Sequence, residues 1–375
     1  MPPAVKDRVR MGLVGAGAIM HLSHAPTIAR SADAVFTAVF DRDPKRAADL
    51  AGQHGAKSYD RLEALLEAKD VDAVIVATPN RNHAAGVLAA AAAGKHVLCE
   101  KPLALDVASA RAMVDACKAA GLVLQVGFNQ RFWGQVQIAK TLLESGFIGN
   151  VNGFRSIYSE KFTAYPAMTR YRYDLAQSGG ATIIDLTIHR IDLARHLIGD
   201  FSAIFAELVH SALPDKVDDN VWLLARFASG ARGSLASDRY SPAIGDGTDL
   251  FGTEGSIHIA TETLNPFHAA PLAVYTERHA KDLPDVLREA HYPDAWWKAF
   301  EGGWLTIKPP RKNPYDAQLA EFCAAIREGR PAAITGEDGL KAQEVVQGAY
   351  IAMREGRWVN LPLPADAPFI VPDYA

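Results

Sequence analysis

The stretch Val9-Arg-Met-Gly-Leu-Val-Gly15-Ala-Gly17-Ala-Ile-Met20 decides the reading of the fold. Its first half is apolar and β-prone; two glycines then interrupt it ahead of an alanine-rich run. That pattern is a strand, a tight turn and a helix start. Gly15 suits the turn, and Gly17 lets the backbone approach a pyrophosphate seated on the helix N-terminus. Ala18, Ile19 and Met20 complete the expected cradle, with Met20 where a third glycine is usual. A bare G-x-G also fits an ordinary glycine turn, so the second strand has to decide. That β-prone run ends at Asp41, 24 positions beyond Gly17. An acid at about that offset accepts hydrogen bonds from the adenosine ribose. The plainer role for Asp41 is a helix N-terminal acid ahead of Pro44. Loop and acid together point to a dinucleotide. A carboxylate there repels a 2′-phosphate, which favours NAD over NADP; Arg42 is the opposing signal, because a guanidinium can hold that phosphate.

Outward from the loop, short β-rich runs alternate with helical ones as far as residue 128. The strands are expected at Val9–Gly15, Val35–Asp41, Ala73–Thr78, His96–Glu100 and Leu122–Gly127, with a minor one near Ala56–Tyr59. The helices are expected at Ala18–Ser31, Pro44–Gly55, Arg61–Lys69, Asn82–Ala93 and Asp106–Ala120. Runs such as Ala73-Val-Ile-Val-Ala77 show no alternation, as in parallel strands covered on both faces. The fold class is therefore α/β, opening with a doubly wound parallel sheet. Beyond Phe128 the strand-like runs Ala203–His210, Val221–Ala228, Ala231–Asp238, Asp249–Gly252 and Ser256–Ala260 succeed one another without helices, which predicts an antiparallel sheet. Helices are expected at Gly180–Ile198, Tyr315–Glu328 and Leu340–Glu355. Residues 262–312 read as an insertion or long loop. The chain thus divides into two domains, 1–128 for the nucleotide and 129–375 for substrate and self-association.

The length of 375 residues agrees, at about 150 residues per domain. Hydrophobic residues at 49% and a net charge of −4 are ordinary for a globular protein and argue against nucleic acid as a partner. No apolar run approaches the ~18 residues of a membrane span. Lys6, Arg8 and Arg10 ahead of Met11–Met20 imitate a secretory leader, but the glycine loop explains that run better. Three cysteines, Cys99, Cys117 and Cys323, are too few for a disulfide framework and suggest a reducing, cytoplasmic setting.

Three further motifs come in order: Ala77-Thr-Pro-Asn80 with His83, then Glu100-Lys101-Pro102, then Ser178-Gly-Gly180-Ala-Thr-Ile-Ile-Asp185-Leu-Thr-Ile-His189-Arg-Ile-Asp192. With the glycine loop they resemble the Gfo/Idh/MocA family, the relatives of glucose–fructose oxidoreductase and inositol dehydrogenase. The resemblance runs from Val9 to about Gly356. It implies a Rossmann domain followed by an α/β domain with a large, mostly antiparallel open sheet used for dimer or tetramer contacts. It also implies that Lys101, Asp185 and His189 are catalytic and that Thr78, Pro79, Asn80, His83 and Glu100 lie by the nicotinamide. Arg172, preceded by Tyr171, matches the arginine of a Trp-Arg pair, and Lys101–Pro102 resembles a bond often cis in the family. Met20 and Thr187 depart from the pattern, each standing where a small residue or glycine is usual.

The residues support the same site. Asp185 and His189 are four apart in a helical pattern and share a face, extended by Asp192 and His196. A solvated polar stripe is the plainer reading. The apolar companions Ile183, Ile184, Ile188 and Ile191 count against it. Gly179 and Gly180 are expected to open the helix N-terminus to a ligand. Lys101 ends a parallel strand, where such folds bind ligands. An imidazole suits a base for a hydroxyl proton, and a lysine suits alkoxide stabilisation. Substrate contacts are expected from Lys101, Arg131, Tyr158, Arg172, Asp185 and His189, with Asn129, Tyr173 and Tyr240 as weaker candidates and Trp296 and Trp297 as candidate caps. No metal-ligand cluster and no G-x-S-x-G is present. The expected function is NAD-dependent oxidation of a secondary hydroxyl on a small polyhydroxylated substrate, an inositol or aldose. A redox-assisted glycoside lyase or hydrolase and a silent NAD-binding regulator are the alternatives.

Overall fold

The computed structural model describes residues 8–160, 171–212, 216–241, 246–260, 271–290, 302–310, 312–364 and 366–370. The first sheet has six parallel strands: β1 (Val9–Val14), β2 (Ala34–Phe40), β3 (Lys57–Tyr59), β4 (Ala73–Val76), β5 (His96–Cys99) and β6 (Leu124–Val126). Their order is β3-β2-β1-β4-β5-β6, the dinucleotide-binding order. Every residue of β4, β5 and β6 is buried, which is what their unbroken apolar runs demand. Between strands run α1 (Ala25–Arg30), α2 (Pro44–His54), α3 (Leu62–Glu67), α4 (His83–Ala92) and α5 (Val107–Ala119). A π turn, Met20–His24, precedes α1.

The second sheet has nine strands: β7 (Val151–Ser159), β8 (Phe201–Val209), β9 (Asn220–Phe227), β10 (Arg232–Asp238), β11 (Gly247–Gly252), β12 (Gly255–Ile259), β13 (Leu272–Thr276), β14 (Gly303–Ile307) and β15 (Val359–Asn360). They lie in the order β14-β13-β12-β11-β7-β10-β9-β8-β15. All pair antiparallel except β7 with β10. The remaining helices are α6 (Gly134–Glu144), α7 (Leu175–Ser178), α8 (Ile188–Ile198), α9 (Asp285–Ala290), α10 (Pro314–Glu328) and α11 (Gly336–Glu355). α8 packs on β7, and α11 lies on β8 while also touching α5 and α8, at the seam of the two sheets.

Three sequence expectations need correcting. The stretch 262–312 is not a structureless loop: β13, α9 and β14 lie in it, and both strands alternate in burial over five residues. Such short alternation is hard to see beside Pro271 and Pro309-Pro310. Trp296 and Trp297 lie outside the described residues. The sequence expectations include neither β7 nor α6, although α6 buries Val136, Ala139 and Leu142 at helical spacing. Finally α10, assigned by position to the second domain, buries Leu319, Phe322 and Cys323 in the same core as Met11, Leu13 and Leu50 of the first. Each large apolar side chain so buried contributes about 1.5–3 kcal/mol, so this helix is fixed to the nucleotide-binding half.

Candidate active site

The chemistry gathers at the carboxyl ends of β4, β5 and β6. At the neighbouring end of β1, Gly15 has φ +103°, and a Cβ there would stand 2.7 Å from the Ala77 carbonyl oxygen. Gly17 faces open space, with nothing within 4 Å of where its Cβ would be. Asp41 accepts the Ala16 N–H at 2.7 Å through one oxygen and the Asp43 N–H at 2.8 Å through the other. The N-cap of α2 is Asp43, which accepts the Lys45 N–H. Asp41 is therefore not the helix cap but part of the glycine loop, beside the open backbone at Gly17. Arg42 is exposed next to it. Met20 is fully buried in the first core, so its bulk points away from the loop. The open cradle, with a carboxylate at its rim, fits a dinucleotide.

A cleft of about 270 Å³ continues from this loop, bordered by Ile19, Thr78, Asn80, His83, Glu100, Lys101, Tyr158, Arg172, Asp185 and His189. Most of the predicted site therefore converges. Lys101 Nζ donates to the Asp185 carbonyl at 2.8 Å and also to its carboxylate. The other carboxylate oxygen of Asp185 takes Arg172 Nε at 3.0 Å and an Arg239 N–H at 2.5 Å. Burial resists a charge on Asp185, but Arg172, Lys101 and Arg239 outweigh it and hold the carboxyl well below its usual range. His189 is half-buried, and its buried Nδ1 has no hydrogen-bond partner among the described residues. Burial and the nearby Lys101 keep its pKa well below the ordinary imidazole value, so the ring is neutral. The edge of its ring meets Phe128, centroids 6.2 Å apart.

The supporting residues divide between cleft and scaffold. Asn80 Nδ2 donates to the Ser178 carbonyl at 2.8 Å and ties the first sheet to the segment ahead of Asp185. Both ring nitrogens of His83 face backbone carbonyls, Pro102 at 2.7 Å and Thr78 at 3.0 Å, so His83 braces the two strand ends. The Lys101–Pro102 peptide is cis. Thr78 Oγ1 is buried without a partner among the described residues. Pro79 introduces the short turn Asn80–Asn82. Tyr158 is locked by the Arg190 guanidinium, 4.5 Å from its ring centre. Thr187 is buried, and its hydroxyl donates to the Thr182 carbonyl at 3.3 Å, turned into its own helix rather than towards the cofactor side.

Several candidates are not brought in. Arg131 is buried away from the cleft, bidentate to Asp192 at 2.9 and 2.6 Å and bonded to Asp338 at 3.0 Å. It is a scaffold ion pair, not a substrate contact, and Asp192 turns inward with it. His196 is half-buried off the cleft, with a buried Nε2 that has no partner among the described residues. Tyr240 is exposed and accepts from Asn220 at 3.0 Å. The helix N-terminus after Gly179-Gly180 is not open to a ligand: Asp218 accepts its N–H groups, and a Cβ on Gly180 would run into the Tyr350 hydroxyl.

Four participants were missed. Arg239 reaches Asp185 from beyond β10, Asp218 takes the Ala181 and Ile183 N–H groups from ahead of β9, and Tyr315 borders the cleft from the start of α10. His24, in the π turn, donates to Glu100 at 2.8 Å. Burial opposes a charge on Glu100, yet this bond and Lys101 hold it below its usual range. None carries a local motif; only the tertiary fold brings them in. A larger groove of about 1130 Å³ lies at the amino ends of β5 and β6, the edge of the sheet opposite the glycine loop.

Residues 9–128 match the oxidoreductase family with an NAD-binding Rossmann fold, and residues 136–258 match the GFO/IDH/MocA C-terminal domain. The chain belongs to the Gfo/Idh/MocA oxidoreductase family. Among its relatives, the levoglucosan dehydrogenase of Pseudarthrobacter phenanthrenivorans is 32% identical, over 95% of this chain and 99% of that one. The inositol 2-dehydrogenase of Rhizobium meliloti is 30% identical, over 94% and 99%. A solved levoglucosan dehydrogenase in complex with NADH and levoglucosan superposes with a TM-score of 0.80 at 28% identity, covering 95% of this chain and all of that one. As a member of this family the chain is an NAD(P)-dependent oxidoreductase.

Proposed function

We propose that this oxidoreductase is an NAD-dependent dehydrogenase that oxidises a secondary hydroxyl of a cyclic polyol or pyranose. One observation carries the reading: a neutral histidine, one nitrogen of which has no partner among the described residues, and an ion-paired lysine border one small cleft beside a dinucleotide-type glycine loop. The relatives that act on levoglucosan and inositol set the substrate class to try first.

Gly15, Gly17 and Asp41 would hold the dinucleotide, with Thr78 and Glu100 towards its nicotinamide end. When bound, it accepts the hydride. His189, kept neutral by burial and by Lys101, accepts the hydroxyl proton. Lys101 stabilises the developing alkoxide, an interaction that strengthens only as charge appears. Asp185 holds the Lys101 ammonium at the cleft from two of its oxygens, carboxylate and carbonyl. Asp41 leaves little room for a 2′-phosphate, hence NAD rather than NADP.

The second sheet exposes Ile157, Trp222, Leu224 and Trp304. Exposed large side chains on several strands of one sheet suit a second copy of the chain, so the assembly is a homodimer or homotetramer. A monomer by light scattering would contradict this. The three cysteines are unbridged and buried, in keeping with the cytoplasm.

The direct test is a panel of inositols, aldoses and anhydrosugars with NAD, following NADH absorbance. Accumulation of NADH with at least one member is expected. NAD binding without reduction by any member would overturn the reading.

A further inference from the structure

Asp185 stands on a second π turn, Ile183–Thr187, which runs directly into α8 and His189. Such a turn carries weaker internal hydrogen bonding than an α-helix and needs outside support to hold one shape. Its leading N–H groups have no partner within the helix.

Asp218 meets this need. It is completely buried, on the loop ahead of β9. One carboxylate oxygen accepts the Ala181 N–H and the other the Ile183 N–H, each at 2.7 Å. Its main-chain carbonyl accepts the Thr182 N–H at 3.1 Å and the Thr182 hydroxyl at 2.6 Å. One residue therefore grips three consecutive residues, the last of them two positions before Asp185. Arg239 grips the same segment from the other side, donating to the Ala181 carbonyl at 3.2 Å and to the Asp185 carboxylate.

We propose that Asp218 is a positioning residue: its carboxylate fixes the π turn so that Asp185 meets Lys101 and His189 faces the cleft. The proposal rests on the dehydrogenase reading above for the step it serves, but not for the clamp itself.

The clamp is pH-sensitive. Burial pushes the Asp218 carboxyl up to about 6, against the Ile183 and Ala181 N–H groups and the Arg239 charge that favour its ionised form. Arg239 is the charged side chain that faces it from just beyond β10, and Asp185 lies beyond that guanidinium. The adjacent Asp219 turns its carboxylate instead to Ser211 and Ala212. A proton on Asp218 turns one acceptor oxygen into a hydroxyl and weakens the grip. His189 titrates well below the ordinary imidazole range. Turnover is therefore expected to show an acid limb near pH 6 that belongs to Asp218 rather than to the base.

Asp218→Asn tests this, because it keeps the shape but sets an N–H donor against one of the two backbone donors. In the full chain it is expected to lower kcat about 10- to 100-fold, the scale of a small misplacement of reacting groups. The NADH dissociation constant should be unchanged, and the acid limb near pH 6 should disappear. A second readout is independent of turnover: amide hydrogen exchange over residues 180–189, corrected for intrinsic pH dependence. In the wild type, protection there should fall as pH drops through about 6; in Asp218→Asn it should be low throughout, with β1–β6 unaffected. Wild-type kcat in the variant, or equal protection in both proteins, overturns the proposal. If Asp218→Asn does not fold, the wild-type exchange profile decides alone, and no change through that range overturns it. A wild type inactive on every polyol would sink the dehydrogenase reading, while the exchange data would still decide the clamp.

Discussion

Lys101 donates to Asp185 twice, to its carboxylate and, at 2.8 Å, to its main-chain carbonyl. The ammonium is therefore tied to the backbone of the π turn as well as to a side chain. Its position at the cleft survives small movements of either carboxylate oxygen.

Loss of that ammonium should be costly. Lys101→Met should lower kcat by about 10²–10³-fold, since it removes charge stabilisation that acts mainly in the transition state. His189→Ala should cost about 10²–10⁴-fold by removing the proposed base. Neither should weaken NADH binding, measured by fluorescence titration. A His189→Ala enzyme with near wild-type kcat would return the proton to another group.

On the proposed reading, cofactor choice turns on Asp41. Its carboxylate already holds the Ala16 N–H at the loop, so Asp41→Ser removes both the repulsion of a 2′-phosphate and part of the loop's support. The ratio of kcat/KM for NADP over NAD should rise by about tenfold, the equivalent of one hydrogen-bonded charge contact. A wild type that already prefers NADP would contradict the role given to Asp41.

Arg131 separates scaffold from site. It is buried between Asp192 and Asp338. Asp338 keeps Arg195, but Arg131→Ala strips the buried Asp192 carboxylate of its guanidinium and should cost about 3–5 kcal/mol of stability. Thermal melting should show the loss, while the substrate KM of the protein that remains folded stays unchanged. A raised KM with an unchanged melting temperature would put Arg131 in the substrate site.

Acid stability has a sign fixed by burial. Desolvation first, then the Arg131 and Lys140 charges, pull the His196 pKa down to about 4. Between about pH 6.5 and pH 4 the unfolded chain then holds a proton that the folded one largely lacks. Stability is lost as pH falls through that range, by up to about 3 kcal/mol at pH 4 from this residue. His196→Gln should lose less on acidification, as read from urea melts at neutral and acid pH. Parallel losses in both proteins would show that His196 does not contribute.

Much of this protein is legible from its residues, for reasons visible in particular elements. β4 and β5 are unbroken apolar runs because helices cover both faces, and the glycine loop announces itself because Gly15 must pass close to Ala77. Lys101, Asp185 and His189 lie in quotable motifs. What the chain conceals is long-range. Arg239 lies 54 residues from Asp185, and Tyr315 comes from a helix that packs into the other half of the molecule. Arg131 misled because a guanidinium after the last Rossmann strand serves equally well as a ligand contact or as the centre of a buried ion pair; its partners Asp192 and Asp338 settle which. The glycines at Gly179 and Gly180 misled for a similar reason, since the N-terminus they precede is filled by Asp218.

Hydride transfer from a substrate carbinol carbon at this cleft is the central claim. It is tested most directly with a turned-over polyol or pyranose deuterated at its reacting carbon, following the label by mass spectrometry of cofactor and product. One deuterium is expected in the reduced nicotinamide for each ketone formed, with the transfer abolished in Lys101→Met. Product that retains the deuterium while no reduced cofactor accumulates would contradict it.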